Sequence, residues 1–156
     1  MMQHLPWLPV EEEGRLGDSK LRENFIQRVF VLSRWQSMQR EGLTWARLTE
    51  FHARHKLIFF SHNQDMARAL GRCLSQSHGE IPEEYGKQYL VEMMQLLKVV
   101  ATPANHVNTL EHIRGYLKKS LDAEDKKELS ESIENYRKGL LPLIVPITLL
   151  RHHFMK

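Results

Sequence analysis

The sequence predicts an all-α protein, folded as a single bundle-like domain of six or seven short helices. Apolar residues recur every three or four positions along almost the whole 156-residue chain, as on the buried side of an amphipathic helix. No segment shows the sustained apolar–polar alternation typical of a half-buried strand. Residues that begin or end helices recur between the apolar segments, and they define each element in turn.

The first predicted helix lies between Asp18 and Gly42. Asp18 or Ser19 can cap its N-terminus, because a short polar side chain accepts hydrogen bonds from the free N–H groups of a helix start. Gly42 marks its end, since glycine readily adopts the left-handed conformation that follows many helices. Its predicted buried stripe consists of Leu21, Phe25, Val29, Leu32 and Trp35 or Gln36.

Two further helices are predicted from the next capping signals. Thr44 can cap the second helix, and Ser61 with Gln64 forms a capping-box pattern that predicts the start of the third. The residues expected to point inward are Leu48, Phe51, His55 and Ile58 or Phe59 in the second helix and Met66, Leu70, Cys73 and Leu74 in the third.

Proline and capping residues open the next three helices. Pro82 stands at a first-turn position of the fourth helix, and Thr102 followed by Pro103 repeats that signal for the fifth. Asp122, followed by two acidic residues, suits the positive end of the sixth helix, which is predicted to stop at Gly139.

The C-terminal segment LPLIVPITLLRHHF is strongly apolar. Opened by Pro142, it is predicted to be a buried helix that is kinked or restarted at Pro146. Its basic neighbours could form a rim that binds an anion, or they could simply keep an apolar segment soluble. These neighbours are Arg137, Lys138, Arg151, His152 and His153.

Composition limits the classes of function. The formal net charge of +3 permits an anionic partner without requiring one, and residues 44–78 carry five Lys or Arg against two Asp or Glu. Cys73 is the only cysteine, which excludes an internal disulfide and a cysteine-ligated zinc or iron–sulfur site. The opening MMQHLPWLPV lacks the features of a signal peptide, so we expect a soluble cytoplasmic protein with no membrane partner.

The fifth helix carries an unusual polar face. Apolar residues fall on one side of residues 102–121, and the opposite side is rich in Asn, His and Tyr rather than in strong helix formers. Such side chains offer hydrogen bonds and a stacking ring, so the face could contact a ligand, or it could bond a neighbouring helix. Its residues are Asn105, Asn108, His112, Tyr116 and Lys119.

Residues 51–71 contain a second group of candidates. His52 and His55 could share a metal on one helical face, but the chain lacks a His-Glu-x-x-His pattern, so a structural role or a phosphate contact is favoured. Arg54 and Lys56 suit anion binding, as does the helix start predicted at Ser61. The chain has no Gly-rich phosphate loop and no Gly-x-Ser-x-Gly motif, and Cys73 is predicted to be a core residue.

Several segments together resemble the YbgA-like family, a domain of unknown function. They are HARHKL at residues 52–57, SH at 61–62, LG at 70–71, NTLEHIRGY at 108–116 and YRKGLLPLIVPITLLRH at 136–152. The resemblance covers roughly residues 25–156. Residues 7–25 resemble the junction found in two-domain proteins of this family, in which a thiouracil-desulfidase-like domain comes first. We therefore expect a linker at residues 1–18, loosely held unless Leu5, Trp7 and Leu8 pack back, and a YbgA-like domain at 19–156.

The resemblance implies a role in tRNA thiouridine desulfidation. As the resemblance implies, in the two-domain proteins the first domain holds a cysteine-ligated iron–sulfur cluster and the YbgA-like domain helps to bind tRNA. This chain matches the second part, so the expected role is binding of tRNA or another structured RNA beside a desulfidase domain or protein, with no metal, cofactor or catalytic residue of its own. The candidate RNA-binding residues are Lys56, His62, Asn105, Asn108, His112, Tyr116, Lys119, Arg137, Arg151 and His152.

Two other functions stay open on sequence grounds. One is an enzyme of unknown reaction that uses His112, His62 and Tyr116 as acid–base groups in a cleft between helices. The other is a helical protein that only binds other proteins.

Overall fold

The computed structural model describes residues 5–72, 74 and 79–155. Within these residues the chain forms seven α-helices and a short 3₁₀ helix (Glu13–Gly17), with no β-strand. The prediction of an all-α protein with six or seven helices is confirmed. The helices are α1 (Ser19–Glu41), α2 (Trp45–His62), α3 (Gln64–Gly71), α4 (Glu83–Lys98), α5 (Pro103–Leu117), α6 (Ala123–Arg137) and α7 (Ile144–Phe154).

The helices group into two compact units that divide between Ala101 and Thr102. The first unit contains α1 to α4, and the second contains α5 to α7. None of the helices in the described part of the chain combines the length and the apolar character needed to cross a membrane.

The core of the first unit is built around aromatic rings. Trp35 of α1 stacks on Tyr89 of α4 with ring centroids 5.4 Å apart, and Phe51 of α2 meets Trp35 edge-on at 5.6 Å. Each such pair contributes about 0.5–1.5 kcal/mol beyond the burial of its area. Helix α4 contacts α1, α2 and α3, so it is the element that joins this unit.

The buried face of α1 differs from the predicted stripe. Val29 is 44% exposed, whereas the polar side chains of Asn24 and Arg28 are buried. Asn24 donates a hydrogen bond from Nδ2 to the carbonyl oxygen of Leu97 at 2.9 Å, and Arg28 pairs with Glu11. These partners offset the cost of removing polar groups from water. The buried face of α1 therefore includes polar residues, which the spacing of apolar residues does not predict.

The segment before α1 packs back onto the first unit. Trp7 lies against the apolar core, and Gln95 of α4 donates a hydrogen bond to the carbonyl oxygen of Pro6 at 3.4 Å. Leu5 and Leu8 are exposed, so only one of the three side chains named in the sequence analysis makes the expected contact with the core.

Most of the predicted helix starts are confirmed. The side chains of Asp18, Thr44, Thr102 and Asp122 accept hydrogen bonds from backbone N–H groups at the starts of α1, α2, α5 and α6. Gly42 and Gly139 follow helix ends with φ of 105° and 78°, as left-handed residues.

The predicted start of the third helix is wrong. Ser61 lies inside α2, where its hydroxyl donates to the carbonyl oxygen of Ile58, and Asn63 caps α3 by accepting from the N–H of Met66 at 3.0 Å. Asn63 has extended backbone angles, as an N-cap requires, so the break between the two helices falls there. The prediction for Cys73 lies outside the described residues.

The second unit is a three-helix arrangement in which α5, α6 and α7 all contact one another. Its apolar core consists of Leu110, Leu117, Leu121, Leu129, Ile133 and Leu150. The Tyr136 hydroxyl of α6 lies 3.0 Å from Nδ1 of His106 on α5, which adds a polar contact beside this core.

Helix α7 is less buried than the sequence suggests. It begins at Ile144, so Pro146 stands in the first turn, where the missing N–H has no partner to lose and no kink is required. Pro146, Leu150 and His153 face inward, but Ile144 is 63% exposed and Phe154 is 54% exposed. The segment predicted to be a buried helix is therefore only partly buried, and the helix runs through Pro146 without a restart.

Candidate nucleic-acid interface

The polar face of α5 is exposed over most of its length. Asn108, His112 and Tyr116 are exposed, whereas Leu110 and Leu117 are buried in the core of the same unit. The spacing of four residues places the three polar side chains in one row along the helix. The outer surfaces of these three side chains are therefore accessible to a ligand.

Two rings define the end of this row. The His112 and Tyr116 rings meet edge to face, with centroids 5.8 Å apart and an angle of 84° between their planes. Tyr116 is 62% exposed. An exposed aromatic ring offers a flat apolar surface with a hydroxyl at its edge, which suits stacking on a planar ligand such as an unstacked base.

Asn105 and Lys119, at the two ends of the predicted polar face, do not continue the exposed row on α5. Asn105 is half-buried in the first turn of α5, where its backbone N–H donates to Thr102 Oγ1 at 3.2 Å. Lys119 is exposed, but α5 ends at Leu117, so Lys119 lies in the following turn rather than on the helical face. Its charge still lies close in sequence to the Tyr116 end of the row.

The candidates on α6 and α7 differ in their surroundings. Arg137 is exposed, but its guanidinium bonds both carboxylate oxygens of Glu134, and these bonds and charges lower the pKa of Glu134. Arg151 is exposed in the last turn of α7, and the structure shows no carboxylate within ion-pairing distance of it among the described residues. Arg151 is therefore the better placed of the two arginines for an anionic ligand.

His152 lines an open groove between α6 and α7 of about 680 Å³. The groove has an apolar floor that includes Ile144 and Leu149, and Glu128 and Glu131 lie on its α6 side. Because two carboxylates would repel phosphates, this groove is a poorer RNA contact than the α5 row.

Of the two RNA-binding candidates in the first unit, Lys56 is accessible to a ligand and His62 is not. Lys56 is exposed on α2. His62 is only 2% exposed, and its Nδ1 and Nε2 atoms each lie 2.6 Å from an oxygen, the carbonyl of Val99 and Oε1 of Gln27. A buried ring with both nitrogens in use joins helices and cannot reach a ligand, so its selection as an RNA contact is wrong, and the acid–base alternative loses one of its three groups.

His52 and His55 also have structural partners. Nδ1 of His52 lies 2.8 Å from the Tyr89 hydroxyl, and Nδ1 of His55 lies 2.7 Å from the carbonyl oxygen of Phe51. Burial, with smaller effects from the charges of Lys56 and His55, lowers the pKa of His52 to about 4. Over the residues that the structure describes, no group of three or more His, Cys, Asp or Glu is arranged to hold a metal.

A groove between α1 and α2 was missed by sequence reasoning. It has a volume of about 430 Å³, and its lining includes Arg34, Arg47 and Arg54. The sequence had pointed to Arg54 alone, as one of two cations near a cluster of histidines. No sequence signal links it to Arg34, since the two lie on different helices and share no motif.

Comparison with known proteins gives two findings. The profile of a family described as "Protein of unknown function (DUF1722)" matches residues 56–156. The chain is also 32% identical over 132 residues to the "Uncharacterized protein YbgA" of Escherichia coli (strain K12), a match that covers 84% of this chain and 78% of that protein. No solved structure matches the chain.

Proposed function

Since this chain belongs to the DUF1722 family, which includes YbgA-like proteins, we propose that it is an RNA-binding accessory domain with tRNA as its ligand. The single observation that carries the proposal is the exposed row of Asn108, His112 and Tyr116 on α5. Asn and His side chains can bond 2′-hydroxyl groups, and a tyrosine ring can stack on an unpaired base. Structured RNA presents both kinds of group together.

The charge of the chain supports a modest, salt-dependent affinity. The net charge is +3, and the turn after α5 carries Lys118 and Lys119, both exposed. Lysines there would contact phosphates, and each such contact releases counterions, so affinity should fall as salt rises. The small net charge favours a limited contact area and a helper role.

In this proposal, sulfur removal from tRNA thiouridine takes place in a separate desulfidase domain or protein. A cysteine-ligated iron–sulfur cluster needs several thiolates, and this chain has one cysteine. Residues 1–18 would be the junction with such a domain, and the place of action would be the cytoplasm. The role of this chain would be to hold the RNA while its partner carries out the chemistry.

A titration of fluorescently labelled total tRNA tests the proposal. Binding is expected in about 50 mM salt, and it should weaken by at least tenfold in about 200 mM salt. Tyr116→Ala and His112→Ala should each weaken binding without a change in melting temperature. Phe30→Ala is a matched control, since Phe30 is 60% exposed on α1 against 62% for Tyr116 on α5.

Two results would contradict the proposal. Absence of tRNA binding at the lower salt concentration would remove RNA as the ligand. Equal tRNA affinities for Tyr116→Ala, Phe30→Ala and the unchanged protein would show that the α5 row does not contact tRNA.

A further inference from the structure

The groove between α1 and α2 has a wall that includes three arginine side chains and a floor of aromatic rings. Phe51 and His55 stack with centroids 4.2 Å apart, and both are buried below the groove. Arg34, Arg47 and Arg54 line it, together with two carboxylates, Glu41 and Glu50. Counting three guanidinium groups and two carboxylates, its formal charge is +1 when His55 is neutral.

His55 is held in its neutral form with a defined tautomer. Its Nδ1 lies 2.7 Å from the carbonyl oxygen of Phe51, so Nδ1 carries the proton and donates it. Nε2 is then an acceptor, and NH1 of Arg34 lies 3.4 Å from it. Burial is the main cause that lowers the pKa of His55; the hydrogen bond to Phe51 opposes it, and the charges of Arg34 and Arg54 add to the lowering. His55 therefore orients Arg34 without neutralising its charge.

Arg34 differs from the other two arginines in its partners. NH1 of Arg47 donates to the carbonyl oxygens of Glu41 and Gly42, each at 2.7 Å, which fixes its guanidinium at the C-terminus of α1. Arg54 pairs with Glu50 at 2.6 Å. Within the described ranges, no carboxylate pairs with Arg34 or Arg47. Two backbone carbonyls hold Arg47, whereas Arg34 has the longer contact with His55, so Arg34 is the better placed of the two to bind an anion.

We propose that this groove binds a phosphate group of a nucleotide, with Arg34 as its main contact and Arg54 as the second. A guanidinium presents two parallel N–H donors that match phosphate oxygens, and a volume of about 430 Å³ falls in the range of small-ligand sites. The phosphate could belong to an RNA backbone or to a free nucleotide. Binding of an RNA phosphate rests on the proposed function, whereas binding of a free nucleotide does not.

Binding of three probes separates these sources. Calorimetric titrations with inorganic phosphate and adenosine monophosphate and a fluorescence titration with labelled tRNA are carried out on the unchanged protein, Arg34→Gln and Arg22→Gln. Arg22 is also an exposed arginine on α1, but it does not line the groove. Arg34→Gln should weaken binding at least fivefold for each probe that the unchanged protein binds, and Arg22→Gln should change it less than twofold. Arg34→Lys should fall between them, because it keeps the charge but loses the paired donors.

The outcomes are distinct. A loss of tRNA affinity in Arg34→Gln without binding of the small probes identifies an RNA phosphate. Arg34-dependent binding of adenosine monophosphate without tRNA binding identifies a free nucleotide as the ligand. In that case the groove is a phosphate site, and the proposed RNA-binding function is wrong. The inference is overturned if Arg34→Gln and Arg22→Gln behave alike with every probe, or if the unchanged protein binds none. If Arg34→Gln fails to fold, Arg54→Gln replaces it, since the Arg54 side chain is 74% exposed.

Discussion

Glu11 and Arg28 form an ion pair at 3.7 Å in which only 9% and 6% of the two side chains are exposed. The pair joins the segment before α1 to the middle of that helix. Glu11 also contacts Arg15 at 3.1 Å, so one carboxylate holds two cations. The segment that the sequence predicts to be a loose linker is therefore attached to the first unit by a nearly buried charge.

Glu11→Gln should destabilise the protein, because it leaves the Arg28 guanidinium buried without its counter-ion. Removal of one partner of a buried pair costs about 3 kcal/mol or more. The free energy of unfolding is measured by urea denaturation. Glu13→Gln is the control, since Glu13 is exposed in the same segment and forms no ion pair among the described residues. Equal stabilities of the two variants would show that the pair does not anchor this segment.

His52 should make stability fall below neutral pH. Its pKa is about 4 in the folded protein, against about 6.5 in the unfolded chain, so between these values the unfolded chain binds more protons. This contribution is complete above pH about 6.5 and is lost as pH falls toward 4, on the order of 2 kcal/mol in total.

Urea midpoints at several pH values between 7 and 4 measure this effect. His52→Gln should show a shallower loss of stability than the unchanged protein. Parallel curves for the two proteins would contradict the assignment to His52.

Two helical glycines should differ in how much alanine stabilises them. A Cβ on Gly86 of α4 would lie 2.7 Å from Cδ2 of Leu43, the end of a half-buried side chain that must shift, so this contact offsets part of the gain in helix propensity. A Cβ on Gly115 of α5 meets nothing within 4 Å, so Gly115→Ala should stabilise the protein by about 0.5–1 kcal/mol through its higher helix propensity. Thermal unfolding of the two variants measures the difference, and a larger gain for Gly86→Ala than for Gly115→Ala would refute this explanation.

Tyr116→Phe should retain most of the tRNA affinity that Tyr116→Ala loses. Stacking uses the face of the ring, which phenylalanine keeps, and loss of a base–aromatic stack costs about 1–3 kcal/mol, or roughly 5- to 150-fold in affinity. Fluorescence titrations of both variants at one salt concentration measure the difference. An equal loss of affinity in the two variants would instead identify the hydroxyl as the contact.

Most helix starts could be predicted from capping residues in the local sequence. Asp18, Thr44, Thr102 and Asp122 cap their helices as expected, because a cap bonds a backbone group only two or three residues away. The start of α3 was misplaced at Ser61 because Asn63, two residues later, supplies an equally good cap. When two residues within one turn can both cap a helix, the path of the backbone determines which of them starts it.

The candidate sites show a similar division. The common face of Asn108, His112 and Tyr116 could be predicted from the sequence, because positions along one helix fix which side chains share a face. Its exposure could not, and the sequence left that question open. The pairing of Arg34 with His55 was not visible, since it joins residues 21 positions apart on different helices.

By itself, the sequence determined the all-α class, the number of helices, most of their starts and the polar face of α5. The tertiary structure decided that Asn24 and His62 are buried, because each of them depends on a partner far away in the chain. Asn24 is buried against the carbonyl of Leu97, 73 positions later, and His62 against that of Val99, 37 positions later. The fold supplies the hydrogen bonds that offset the burial of these two groups, and periodicity along one helix carries no information about such partners.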